Sequence, residues 1–155
     1  MKELEDDRIE KKILLSAPRA RVWRALSDAA EFGQWFRVRL EGAFRAGSTI
    51  VGQITYPGYE HLKLEMQIVE LVPERYFSYR WRPNAVEPDK DYSAEPMTLV
   101  EFTLDEAPAG QGTLLTIVES GFARLPAERR AQAFRANDGG WTEQLKNIER
   151  HVGQS

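Results

Sequence analysis

Cysteine is absent from the 155 residues, which excludes disulfide stapling, thiol catalysis and thiolate metal sites together. Histidine is nearly absent too: His61 and His151 lie far apart, at no spacing that suggests zinc, so no metal is expected. There is no basic excess. The formal net charge is -3, whereas a domain that neutralises phosphates carries a clear positive surplus, so nucleic acid is not an expected partner. No apolar run approaches the length that spans a bilayer, and Met1 to Arg8 is highly charged without the apolar segment of a signal peptide. Membrane insertion is therefore not expected, and a cytoplasmic location is. A nucleophile elbow, a phosphate-binding glycine-rich loop, a Rossmann fingerprint and a zinc-protease helix are all missing, so no cofactor is expected.

What is present fits one domain over residues 1–155, long enough to bury its own core. From Phe134 onward, Trp141, Leu145, Ile148 and Val152 recur at four- and three-residue steps, with Asp138 as the polar member of the stripe. That spacing predicts a long C-terminal helix laid by one apolar face on something large. Near the other end, Ile9 to Ser16 reads as a strand. Ser16 or Ala17 then caps a helix with Pro18 in its first turn and Val22, Trp23, Leu26 and Ala29 on its buried face. Asp28 followed by Glu31 resembles a capping box and starts a second helix through Phe32, Trp35 and Phe36. The arginines at 19, 21 and 24, and again at 129, 130 and 135, read as solvated helix faces.

Between the helices lie segments of period two. Val38 and Leu40; Ile50, Ile54 and Tyr56; Leu62, Leu64, Met66 and Ile68; Phe77, Tyr79 and Trp81; and Val100, Phe102 and Leu104 each alternate with polar neighbours. In the last segment, Thr113 to Ser120, Leu115 and Ile117 match the inner rows, which puts Glu119 on the inner face as well. Antiparallel strands with one apolar face are expected. The connection from Pro83 to Pro96 holds three prolines and several acids, and a structureless stretch of that length is either a cavity rim or a plain loop.

The order β-α-α-β-β-β-β-β-β-α resembles the α+β helix-grip fold of the START-like (SRPBCC) superfamily, a curved antiparallel sheet wrapped around a long C-terminal helix. Four blocks narrow the resemblance: SAPRARVWRALSDAAEFGQWF (16–36), VPERYFSYRW (72–81), GTLLTIVESGF (112–122) and GGWTEQLKNIERHV (139–152). They are similar to the bacterial branch related to the C-terminal domain of the heat-shock-protein ATPase activator Aha. Such folds host lipid binders, hormone receptors, cyclases and co-chaperone modules, so the resemblance implies a cavity without naming its occupant. The eukaryotic activators carry a separate N-terminal domain that contacts the chaperone, for which this chain has no room, and this weighs against a co-chaperone.

The resemblance turns inner-row residues into candidate cavity walls: Tyr56, Met66, Phe77, Tyr79, Trp81, Phe102, Ile117, Phe134 and Trp141. An organic ligand wants apolar walls with a few placed polar groups. Glu119 would bind an amine, orient a hydroxyl or act as a general base, or else form a strand-end ion pair with Arg124 or Arg129. Asp138 either faces the cavity from the apolar stripe or caps a helix that kinks or begins at NDGGW. The two glycines, at about 1 kcal/mol each inside a helix, weigh toward the cap. His61, in the turn GYEH after Pro57, reads as exposed. Three functions follow. The first is binding of a small, largely apolar, aromatic or lipid-like molecule in a cavity between the sheet and the C-terminal helix. The second is a cofactor-independent cyclase, hydrolase or isomerase using Glu119, Asp138 or Tyr79. The third is a chaperone-associated interaction module. A homodimer is left open.

Overall fold

The computed structural model describes residues 8–83, 91–108 and 110–153. Strand β1 (Arg8–Leu15) leads into helices α1 (Arg19–Ser27) and α2 (Ala29–Phe36). Six strands follow: β2 (Val38–Leu40), β3 (Thr49–Ile54), β4 (Lys63–Val72), β5 (Tyr76–Trp81), β6 (Thr98–Glu106) and β7 (Thr113–Ser120). A short 3-10 turn, Phe122–Arg124, precedes α3 (Ala127–Gly153). The strands form one antiparallel sheet in the order β1-β7-β6-β5-β4-β3-β2. This is the α+β helix-grip fold, and α1 and α2 carry the chain from one edge of the sheet to the other.

Period two explains the sheet. In β7, Thr113, Leu115, Ile117 and Glu119 are all buried, while Leu114, Thr116 and Val118 between them are half-buried. Phe77 lies opposite Phe102, and Tyr79 opposite Val100, so the aromatic rows of β5 and β6 meet on the inner face. The grip helix lays Ala133, Trp141, Leu145, Ile148 and Val152 on that face. Removing such side chains from water contributes about 1.5–3 kcal/mol each for the larger ones. Close approach at the far edge requires a glycine: a Cβ on Gly52 would stand 2.6 Å from Leu40 Cδ2 and 2.8 Å from the Arg39 carbonyl oxygen.

Capping is half as expected. Asp28 Oδ1 accepts from the backbone N–H groups of Ala30 (2.9 Å) and Glu31 (3.4 Å), which starts α2. The Glu31 side chain does not reach back to complete a box. It accepts instead from Arg21 (2.7 Å) and Arg24 (2.8 Å) and pairs with His151 (2.8 Å), tying α1, α2 and the end of α3 together. At α1 the N-cap is Pro18, with no side-chain bond, rather than Ser16 or Ala17.

Three other expectations need correction. The grip helix begins at Ala127 and runs unbroken through Gly139 and Gly140, so Asp138 caps nothing. The reason is burial on both sides of the glycines: Ala133 and Trp141 are packed, which offsets a propensity cost of about 2 kcal/mol for the pair. Nothing among the described residues packs against the glycines, since a Cβ at either would meet nothing within 4 Å. Strand β3 stops at Ile54, so the alternation does not carry Tyr56 inward. Finally, Arg129 is buried rather than solvated.

Candidate functional site

Most of the inner face is solid. Met66, Phe77, Tyr79, Phe102 and Ile117 are fully buried, and their side chains fill the grip. Phe77 stacks on Phe102 at 5.9 Å, Phe44 meets Phe77 at 5.2 Å, and Phe32 from α2 stands edge-on to Tyr79 at 6.2 Å. These five candidates are core packing, not the wall of an open space. The Tyr79 hydroxyl is buried with no hydrogen-bond partner among the described residues. Burial, with the nearby Glu119 charge, holds its phenol well above the ordinary value.

Glu119 faces inward, as its strand parity predicts, and is fully buried. Its Oε1 accepts from Trp141 Nε1 (2.8 Å) and Asn137 Nδ2 (2.9 Å). Its Oε2 accepts from Trp81 Nε1 (2.8 Å), Thr98 Oγ1 (2.5 Å) and again Asn137 Nδ2 (3.1 Å). Four side chains on β5, β6 and α3 thus converge on one carboxylate of β7. No cation pairs with it among the described residues: Arg124 donates to the Met97 carbonyl oxygen, and Arg129 pairs with Glu95. The neutral donors replace the water that burial removed, the usual requirement for a buried charge. So placed, Glu119 ties the grip helix to three strands, and its lone pairs are occupied.

The open space lies beside this knot. Strand β4 pairs with β3 from Lys63 onward, but with β5 only from Gln67. Where the β4–β5 ladder stops, a cleft of ≈510 Å³ opens to solvent. Its apolar wall is Phe36 from α2, Ile54 from β3, Leu62 and Leu64 at the start of β4, and Trp81 and Pro83 at the end of β5. Ala136 and Asn137 of α3 close the remaining side. Lys63, Glu65, Asp91 and Ser93 are exposed and form the rim. A second, smaller space of ≈120 Å³ shares Phe36, Trp81 and Asn137 with the cleft and continues to Gly140, Trp141 and Gln144. The rings at this junction are in contact: Phe36 to Trp81 at 5.6 Å, and Trp81 stacked on Trp141 at 5.7 Å.

Arg129 fixes the rim. Its guanidinium grips Glu95 (2.7 Å), donates to the Pro83 carbonyl oxygen (2.9 Å) and lies over the Tyr92 ring at 4.9 Å. A fork of five donors suits such a bidentate grip. The two described ends of the Pro83–Pro96 connection are thereby held to α3, and residues 91–93 line the cleft. Residues 84–90 of that connection lie outside the described residues.

The remaining candidates lie elsewhere. Tyr56 is about half exposed and packs on Tyr59 (5.8 Å) under the Arg37 guanidinium (5.2 Å). Phe134 is half-buried against Phe122 (5.3 Å). Asp138 points to the flank of α3, where it pairs with Lys11 of β1 at 3.1 Å. His61 is exposed. Of the eleven candidates, Trp81 and Trp141 border open space, and Glu119 stands one side chain behind it. Asn137 and Phe36 were not singled out from the sequence. The signal for Asn137 was there: it stands four residues after buried Ala133 and four before buried Trp141, on the true inward line. Among the described residues no group of His, Asp or Glu is placed to hold a metal, and no helix is long and apolar enough to cross a membrane.

Comparison with known proteins bears on the fold and the family. MLL2253 from Mesorhizobium loti is similar over 96% of this chain and 98% of its own, at 20% identity and a TM-score of 0.74. The Aha1 dimer from Colwellia psychrerythraea is similar over 94% and 95%, at 16% identity and a TM-score of 0.68. DynU16, from the dynemicin biosynthetic locus, is similar over 95% of this chain but 47% of its own, at 20% identity and a TM-score of 0.71. No curated protein matches. The family model for activator of Hsp90 ATPase homolog 1-like proteins matches residues 16–153, nearly the whole of the described fold, and the chain belongs to that family.

Proposed function

We propose that the protein binds a small, largely apolar molecule, aromatic or lipid-like, in the cleft between α2, the β3–β4 hairpin and α3. One observation carries this reading: an open space of ≈510 Å³ with aliphatic and aromatic walls and its charged groups at the rim. Sites for small organic ligands have volumes of roughly 300–1,000 Å³ and the same division of apolar wall and few polar groups. The general-base reading of Glu119 has less support. A base must reach the proton it takes, and this carboxylate is fully buried behind Trp81 and Asn137 with its acceptor sites filled.

Nile red tests the proposal. The folded protein is expected to bind it with roughly micromolar affinity, with a blue shift and energy transfer from tryptophan. Ile54→Trp, which adds a ring to the wall, should weaken binding at least tenfold while the fold survives. Failure of the wild-type protein to bind, or binding undiminished in Ile54→Trp, would refute the cleft as the site.

A further inference from the structure

The amide of Asn137 gives the cleft a chemical preference. A carboxylate accepts and does not donate, so the hydrogen bonds to Glu119 at 2.9 and 3.1 Å require Nδ2 to face it. The amide is planar, and Oδ1 is therefore turned the other way. Among the described residues nothing donates to that oxygen, and Asn137 lines both the cleft and its smaller extension. The other polar side chains around the cleft are placed differently: Lys63, Glu65, Asp91 and Ser93 are exposed at the rim, while Arg82 is engaged through its Nη atoms with Glu65 at 3.6 Å and the Ser93 carbonyl oxygen at 3.2 Å and keeps its Nε buried without a partner among the described residues. At the inner end this acceptor belongs to a residue that lines the cleft beside Phe36 and Trp81, whose rings meet at 5.6 Å and 56°.

We infer that the ligand is a flat aromatic carrying an N–H or O–H donor, whose ring packs against Phe36 and Trp81 and whose donor bonds to Asn137 Oδ1. The inference rests on the cleft being the binding site. The acceptor is preorganised, since Glu119 fixes the amide from behind, itself held by Trp81, Thr98 and Trp141. A ligand without a donor would bury that oxygen unpaired, which discriminates against it more strongly than the lost bond alone. Glu119 on this account acts on the ligand through Asn137 and never touches it.

Indole and benzothiophene form the test pair, because they share shape and differ in the N–H. Calorimetric titration of wild-type protein and Asn137→Ala gives the ratio of their dissociation constants in each. The preference for indole over benzothiophene should be about fivefold greater in the wild type than in the variant. An unchanged ratio overturns the inference while leaving the cleft intact. Binding of neither probe to folded wild-type protein overturns the cleft itself. Should Asn137→Ala fail to fold, the wild-type protein suffices: the Asn137 side-chain amide resonances should shift further with indole than with benzothiophene, where the ring current alone acts, and equal shifts refute the assigned contact.

Discussion

Glu119→Gln separates a structural carboxylate from a catalytic one. Glutamine keeps the shape but turns one acceptor oxygen into an NH2 group. The least damaging placement keeps its oxygen at the Oε2 position, where Trp81, Thr98 and Asn137 still donate. The new amide nitrogen then faces Trp141 Nε1 across 2.8 Å, donor against donor. Two buried donors are left without acceptors, at about 1–3 kcal/mol each. Relief from burying an unpaired charge returns part of this, so the expected net loss is about 2–4 kcal/mol. For a chain of this size that corresponds to a fall of roughly 5–15 °C in Tm.

Urea unfolding followed by tryptophan fluorescence measures the loss directly, and a double-mutant cycle locates it. Trp141→Phe removes the opposing N–H, so in that background Glu119→Gln should cost about 1–2 kcal/mol less than in the wild type. Two results would refute the reasoning. A Glu119→Gln midpoint within about 0.5 kcal/mol of wild type would mean that the five hydrogen bonds do not hold the carboxylate. Strict additivity in the cycle would mean that the Trp141 contact is not the one broken.

Other perturbations test neighbouring parts of the structure. Tyr79→Phe removes a buried hydroxyl that has no partner, so stability should stay level or rise by up to about 1 kcal/mol in thermal unfolding; a marked loss would reveal a partner for that hydroxyl. Gly139→Ala, on the exposed side of α3 with open space at the Cβ, should raise stability by about 0.5–1 kcal/mol, and a decrease would contradict the continuous helix. Glu31 gives a pH signature. Burial alone would raise its carboxyl, but hydrogen bonds from His151 and Arg21, with the charge of Arg21 and the bond from Arg24, outweigh burial and hold it below 4.5. A group lowered in the folded state contributes stability above its unfolded value and loses it as pH falls through the folded value, so wild-type unfolding curves should weaken below about pH 4.5 more steeply than those of Glu31→Gln.

The fold was legible because period two is a local signal. Most inner rows from Val38 to Leu104 could be read without knowing their neighbours, whereas Leu115 and Ile117, on a strand apolar on both parities, were placed by matching those rows. The helix across NDGGW was not legible, because propensity belongs to the glycines whereas the compensating burial of Ala133 and Trp141 belongs to the sheet beneath them. Asn137 and Asp138 show the limit more sharply. They differ by one position, about 100° around a helix, and a stripe stepped from Phe134 selects Asp138 while one stepped from Ala133 selects Asn137. The tertiary contacts of Asn137 and Trp141 with Glu119, and of Asp138 with Lys11, fix the rotation of α3 and decide between them. The cleft was illegible for another reason. It exists where the β4–β5 ladder ends, and register between strands is not written in the pattern of either one.

The filled grip bears on where function can reside in this chain. In an open grip, an inward acid on β7 would meet the ligand directly. Here Phe77, Tyr79 and Phe102 occupy the centre, and the space that remains lies toward the start of β4 and the end of β5. The acid is consequently one layer from the cleft, and the residues between them, Trp81 and Asn137, each have two roles. Each donates to Glu119 and also lines the cleft. If the cleft binds as proposed, that arrangement couples occupancy to the anchoring of the grip helix. A ligand that orders Trp81 and Asn137 in these positions strengthens the attachment of α3 to the sheet, and stabilisation follows from occupancy as it does for any ligand that prefers the native state. Glu119→Gln should reduce that coupling even where the cleft wall is unchanged. Hydrogen exchange of the α3 amides around Asn137 with and without indole measures it: protection should rise with indole in the wild type and rise less in the variant. Equal gains in both would show that the ligand and the carboxylate do not communicate through these two side chains.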